Sequence, residues 1–168
     1  MQRIGLLSDT HGYCDERMLH FLQECDQIWH AGDIGDLSII DTLREIAPVQ
    51  AVFGNIDGHV IRRDLPEDLR FKCEDVDVRI IHIGGRPPRY DRFVRNSLLK
   101  DPPDLFICGH SHILKVEFDN KLQMLYMNPG AAGKHGFHKV RTILRFNING
   151  KKIEKLEVVE LGDRGSLT

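Results

Sequence analysis

Metal-ligating residue types stand at the ends of five successive apolar runs in this chain. Ile4-Gly5-Leu6-Leu7 leads into Ser8-Asp9-Thr10-His11, Ile28-Trp29 into His30-Ala31-Gly32-Asp33, and residues 49–53 into Gly54-Asn55-Ile56-Asp57. Residues 78–81 lead into His82, and residues 105–108 into Gly109-His110-Ser111-His112. Taken singly, a Gly-Asp or Gly-Asn pair after a strand is an ordinary turn, in which the side chain accepts backbone hydrogen bonds. Asp-x-His and Gly-His-x-His are more specific, because alternate residues of an extended segment point the same way. The turn reading predicts no preference for ligand types at five strand ends in succession. Asp9, His11, Asp33, Asn55, His82, His110 and His112 are therefore the candidate site residues.

Two carboxylates, one amide and four imidazoles are too many donors for one tetrahedral zinc, and they suit two ions. Mixed oxygen and nitrogen donors point to Mn, Fe, Zn, Co or Ni rather than Mg or Ca, and manganese is the first expectation. Two divalent ions less two carboxylates leave a local charge of +2, which attracts phosphate. Ions about 3.5–4 Å apart polarise a phosphoryl oxygen and hold a hydroxide for in-line attack. The expected substrate is a small phosphoester.

These side chains must be brought together by the elements that carry them. A strand over 3–8 is followed by a helix from about Asp15 with Met18, Leu22 and Cys25 on one face. Ser38 or Asp36 caps a second helix carrying Ile40, Leu43 and Ile46 and stopping before Pro48. A third helix is expected through Tyr90, Val94 and Leu98, ending at Asp101-Pro102. The last third changes to hairpins: 113–118 with 122–127 about Asp119-Asn120-Lys121, and 142–148 with 152–160 about Asn149-Gly150, a type I′ signature. In an α/β sheet, ligands bind beyond the carboxyl ends of parallel strands, so parallel strands here would converge the candidates on one patch.

Composition narrows the class. With 168 residues, 41% hydrophobic and 29% charged, the chain reads as a single soluble domain over 1–168. A net charge of −2 lacks the basic footprint of a nucleic-acid binder. No apolar run is long enough to span a membrane. A strand starting near Ile4 leaves no room for an export signal, and the four cysteines form no Cys-x-x-Cys pair. Reduced thiols and a cytoplasmic location are expected.

The ordered set Asp-x-His, Gly-Asp, Gly-Asn, His, Gly-His-x-His resembles the calcineurin-like metallophosphoesterase family. The short length and Asn128-Pro129-Gly130 look like its small prokaryotic phosphodiesterase branch, over Arg3 to about Phe146. The resemblance implies a four-layer α-β-β-α sandwich of two mixed sheets with helices outside. It places Asp9, His11 and His112 on one ion, Asn55, His82 and His110 on the other, and Asp33 between them. Asp33, Asn55 and His82 are also taken as catalytic. The implied activity is hydrolysis of phosphoesters, most of all phosphodiesters, by a metal-bound hydroxide.

Two departures stand out. Many relatives carry a histidine after Gly-Asn that is taken to protonate the leaving group, and Ile56 occupies that place here. The fourth motif is commonly His-Gly, whereas this chain reads His82-Ile83-Gly84. Asp57 is expected to cap a turn or to orient a ligand. Arg86 and Arg89 are candidate phosphate contacts, and the basic, glycine-rich loop 130–139 brings His135 and His138 as substitutes for the missing acid. That loop serves equally well as a surface or subunit contact, so a homo-oligomer is part of the expectation. Some relatives with this fold look like binding proteins that have lost catalytic ligands, and a non-catalytic scaffold is the alternative.

Overall fold

The computed structural model describes residues 1–165, so the last three residues of the expected 1–168 domain lie outside it. Its strands are β1 (Gln2–Leu7), β2 (Gln27–His30), β3 (Val49–Ala51), β4 (Asp68–Cys73), β5 (Val76–Ile81), β6 (Gly85–Arg86) and β7 (Arg89–Tyr90). They continue with β8 (Leu105–Ile107), β9 (Leu114–Asp119), β10 (Met124–Pro129), β11 (Val140–Asn149) and β12 (Lys152–Asp163). The helices are α1 (Glu16–Leu22), α2 (Leu37–Arg44), α3 (His59–Asp64) and α4 (Arg92–Lys100).

Two five-stranded sheets, ordered β12-β11-β1-β2-β3 and β4-β5-β8-β10-β9, form the body of the protein. In each, three adjacent strands run parallel, β1, β2 and β3 in the first and β5, β8 and β10 in the second; every other strand pairs antiparallel with its neighbour. Strand periodicity divides the side chains between layers. Ile4 and Leu6 join Trp29, Val78, Ile80, Leu105 and Ile107 in the core between the sheets. Leu7 and Ile28 face outward to Met18, Leu22, Ile40 and Leu43 of α1 and α2. On the other side Phe106 and Tyr126 pack on Val94 and Leu98 of α4. The order is thus helix, sheet, sheet, helix: an α/β sandwich of two mixed sheets.

Local chemistry sets the element ends. Asp15, Asp36 and Asp91 cap α1, α2 and α4 by accepting backbone N–H groups. Asp91 therefore starts α4 two residues later than its apolar pattern suggests, and Tyr90 belongs to β7. Cys25 and Ile46 likewise lie beyond the ends of α1 and α2. The 149–152 turn also departs from expectation. Asn149 pairs with Lys152, so Gly150 and Lys151 are its centre, and only Gly150 has positive φ. That is the II′ pattern, which wants glycine first. Gly5 lets α1 lie against β1, since a Cβ there would meet the side chain of Leu22 and Cys25 Sγ. Among the described residues no helix is long and apolar enough to cross a membrane.

Candidate active site

The carboxyl ends of the six parallel strands open toward the same edge of the sandwich, and their loops are laced together. Asp9 N–H donates to Gly32 O at 2.9 Å, His11 N–H to Asp33 O at 3.0 Å and Gly109 N–H to His82 O at 3.0 Å. Across the two sheets, His110 N–H donates to Asp9 Oδ2 at 3.1 Å. Loop 130–139 closes the ring, with Ala132 N–H on Ser8 O at 2.9 Å and Gly133 N–H on Asp9 O at 3.0 Å.

Five of the seven candidate residues have a left-handed backbone. Asp9, His11, Asp33, His110 and His112 hold φ of 55°, 46°, 53°, 67° and 58°. Few non-glycine residues adopt this region, although Asp and His are enriched among those that do. The chain thus turns sharply in the loops after β1, β2 and β8, whereas Asn55 and His82, after β3 and β5, lack this conformation.

There the side chains meet in two groups, Asp9 with His11 and His112, and Asp33 with His82 and His110; within each, one ligand atom per residue lies within 4.8 Å of the others. Asp9 Oδ1 is 3.0 Å from His112 Nε2 and 3.8 Å from His11 Nε2. Asp33 Oδ2 is 3.2 Å from His82 Nε2 and 3.5 Å from His11 Nε2, so it touches both groups. Asn55 stands beside Asp33 on the wall of a cleft of about 470 Å³, with Ile56, His110, His112, His135 and His138. All seven candidate residues come to this one place.

The electrostatics are those of a cation site. Burial opposes charge on Asp9, but His11, His112, His82 and the Ser8 hydroxyl hold its carboxyl well below the usual range. Asp33 is lowered in the same way by His82 and by the Ile56 N–H, which donates to its Oδ1 at 3.0 Å. Burial also works against charge on His82, yet Asp33 and Asp9 carry its pKa above the ordinary imidazole value. His82 Nδ1–H donates to Ala31 O at 2.7 Å, which leaves the Nε2 lone pair facing the carboxylates. Asp9 Oδ1, His11 Nε2 and His82 Nε2 are buried and none makes a hydrogen bond. Lone pairs converging in a buried space call for a cation between them. Two carboxylates, four imidazoles and an amide fit two divalent transition-metal ions.

Asp57, Arg62 and Asn128 brace these loops. Asp57 accepts from Ile34 N–H (3.1 Å), Gly35 N–H (2.8 Å) and Gly54 N–H (2.8 Å), tying the Asp33 loop to the Asn55 loop. Both its oxygens are occupied, so it works as a turn brace. Arg62 reaches Asp57 O at 2.5 Å and Asn55 O at 3.2 Å. Asn128 donates to Gly109 O and Ser111 Oγ and accepts from Gly130 N–H, holding the His110 loop against the end of β10.

His30 lies behind the site. Its Nδ1 accepts from Gly32 N–H at 3.1 Å, so Nε2–H is the donor to Thr10 Oγ1 at 3.0 Å. Burial pushes its pKa from 6.5 down to about 4, against the pull of Asp9 and Asp57. Above pH 6.5 the ring is neutral in folded and unfolded protein alike. As pH falls toward 4 the unfolded chain takes the proton first, and roughly 3 kcal/mol of stability is lost across that window. In metal-stripped protein, His30→Gln should flatten the fall of the urea midpoint between these pH values; equal slopes would contradict this account.

The family-level comparison agrees with the geometry: the calcineurin-like phosphoesterase superfamily domain matches residues 2–151. The chain belongs to the calcineurin-like phosphoesterase superfamily. It is 30% identical over 163 residues to a probable metallophosphoesterase of Methanocaldococcus jannaschii, covering 94% of this chain and 81% of that protein. Two solved structures share the fold at lower identity. Wild-type Vps29 of Entamoeba histolytica complexed with Zn²⁺ has a TM-score of 0.73 at 19% identity, covering 95% of this chain and 99% of that one. A novel archaeal phosphodiesterase has a TM-score of 0.72 at 20% identity, covering 94% and 99%.

Calcineurin-like phosphoesterases use divalent metals, and here the loop 130–139 lies against the candidate ligands. The loop packs over the ligands: His135 stacks on His11 with ring centroids 4.8 Å apart, and His138 meets His112 at 5.2 Å. A Cβ on Gly136, where φ is +123°, would run into the His112 ring. Burial lowers the His138 pKa, and its Nε2–H donates to Gly133 O at 2.8 Å. His138 is thus held neutral and already committed, whereas His135 is exposed at the cleft wall.

Proposed function

We propose that the protein is a phosphoester hydrolase that depends on two divalent transition-metal ions and acts on small phosphodiesters. The observation that supports this most is the pair of donor groups, linked through Asp33, in which Asp9 Oδ1, His11 Nε2 and His82 Nε2 are buried and make no hydrogen bond. Asp9, His11 and His112 would hold one ion and Asn55, His82 and His110 the other, with Asp33 serving both. Manganese remains the first expectation among Mn, Fe, Zn, Co and Ni, none of which the donors exclude. When bound, the ions supply an activated water and polarise the phosphoryl oxygen.

The chain's own residues do the rest. The Ala31 carbonyl fixes the His82 tautomer, and Asp57 and Arg62 fix the loops that present Asp33 and Asn55. The cleft of about 470 Å³ admits a small ester, and its floor carries net positive charge once two divalent ions offset two carboxylates. No histidine stands at the Ile56 position, and His135, exposed on the cleft wall, is the first residue to test should the departing alcohol prove to receive a proton from the protein. We assign the protein to the cytoplasm, in keeping with its four free cysteines.

A scaffold reading rests on one feature. Ile56, Ile113 and Phe137 are exposed, at 46%, 55% and fully, and all three line the cleft. An apolar rim suits a protein partner as well as an apolar leaving group. Elemental analysis of purified protein, with bis(p-nitrophenyl) phosphate hydrolysis in Mn²⁺, tests the proposal. Two ions per chain with turnover are expected. Two ions with no turnover of any ester would leave the scaffold.

A further inference from the structure

The cleft has a neighbour. A second hollow of about 280 Å³ is lined by Ile83, Gly84, Gly85, Arg86, Arg89, Gly109, His110, Ser111 and Tyr126. His110 and Ser111 line both hollows, so the two share a wall that carries a candidate metal ligand.

Arg86 and Arg89 face each other across the β6–β7 ladder. Like charges directly opposite on paired strands repel. Among the described residues neither arginine has a carboxylate partner, whereas Arg3, Arg70, Arg79, Arg141 and Arg145 each hold one. No acidic side chain lines the hollow. The hairpin that carries them is not free to swing away. Tyr126 Oη–H donates to Gly85 O at 2.8 Å, Asp91 N–H to Gly84 O at 2.9 Å, and Tyr90 Oη–H to Asp119 Oδ2 at 2.5 Å. A Cβ on Gly84 would strike Cys108 Sγ, which shows how tightly the hairpin base is seated. Opposite the arginines, Ser111 Oγ accepts from Asn128 Nδ2–H (3.1 Å) and Ile113 N–H (3.2 Å). With both acceptor positions used, its own hydrogen is left to donate.

Two unpaired guanidinium groups and one hydroxyl donor around a concave space without acids make a site for a phosphate. Guanidinium forks match phosphate oxygens in pairs. We propose that Arg86, Arg89 and Ser111 bind a second phosphate of the substrate, one carried by its alcohol part and distinct from the scissile ester. The substrate class is then a phosphoester whose organic portion bears a further phosphate. This inference rests on the hydrolase reading for its substrate, and its binding readout does not.

The test uses the intact protein loaded with Mn²⁺. Calorimetry would compare thymidine 3′,5′-bisphosphate with thymidine 5′-phosphate, and kinetics would compare thymidine 5′-(p-nitrophenyl phosphate) with and without a 3′-phosphate. Charge-assisted contacts to the extra phosphate should make the bisphosphate bind about tenfold or more tightly. The double variant Arg86→Gln, Arg89→Gln should bring that ratio near one, with its circular dichroism unchanged because both side chains are exposed. In kinetics, the variant should lose about tenfold more kcat/KM on the 3′-phosphorylated ester than on the plain one, mostly through KM. Equal binding of the two nucleotides to the unmutated protein, or an equal loss on both esters, would overturn the proposal. A bisphosphate preference that the variant abolishes, with no turnover of either ester, would uphold the anion site and reject the hydrolase reading.

Discussion

Asp33→Asn should strip the protein of both ions and lower kcat/KM on an aryl phosphodiester by roughly 10³-fold. Asp33 Oδ2 lies within 3.5 Å of imidazoles from both donor groups, so its charge acts on two sites at once. Asparagine has the same shape, and its carbonyl oxygen can still accept the Ile56 N–H at the position of Oδ1. The loop should therefore survive while the shared negative charge is lost. Losing several kcal/mol of charge stabilisation at the reacting centre amounts to about three powers of ten in rate. Elemental analysis at saturating Mn²⁺ should find two ions per chain in the parent and well under one in the variant. A variant that keeps both ions would show that Asp33 does not join the sites. Asp57→Asn is the informative companion, because it leaves the seven donors in place and disturbs only their bracing.

The second large effect concerns the leaving group. With Ile56 at the position where relatives carry a histidine, log kcat/KM should fall steeply as the leaving-group pKa rises. General acid assistance is typically worth roughly 10²–10⁴ in rate, and esters of poor leaving groups feel its loss most. Ile56 is about half exposed on the cleft wall beside Asp33 and Asn55, so a ring at this position would point at the reacting region. Ile56→His should raise kcat/KM for alkyl phosphodiesters about tenfold and aryl esters little. The gain is smaller than a full general acid gives, because Asp57 spends both oxygens on backbone N–H groups and cannot orient the new ring. A shallow slope in the unmutated protein would identify another acid. In that case His135→Ala should steepen it and His138→Ala should not, since His138 is neutral and bound to Gly133 O.

Much of the site is legible in the sequence because it is built at strand ends. Apolar runs that stop at Asp9, Asp33, Asn55, His82 and His110 announce both the strand and the group it delivers. The two-sheet arrangement is a different matter. Nothing in the runs themselves says that β5, β8 and β10 leave the sheet of β1, β2 and β3, and only the family resemblance supplied it. Strand β4 lies outside the elements expected from the sequence, although Asp68-Leu69-Arg70-Phe71-Lys72-Cys73 alternates strictly, the signature of a half-buried strand. The six-residue α3 is too short for a helical period and is fixed by tertiary packing of Ile61 and Leu65. Arg62 braces the site through backbone carbonyls that any residue would supply, so no pattern of side-chain types points to it.

The left-handed backbone at Asp9, His11, Asp33, His110 and His112 has an evolutionary side. A non-glycine residue held in that region costs on the order of 1 kcal/mol. Five such positions together approach the net stability of an ordinary domain, about 5–15 kcal/mol. A lineage selected for turnover must tolerate that burden, because glycine cannot ligate a metal. Once selection for turnover is relaxed, each replacement by glycine or asparagine relieves strain and is favoured on stability alone. The scaffold therefore slopes toward descendants that keep the sandwich and surrender the ligands one loop at a time. This chain carries that strain at five of its seven candidate ligand positions.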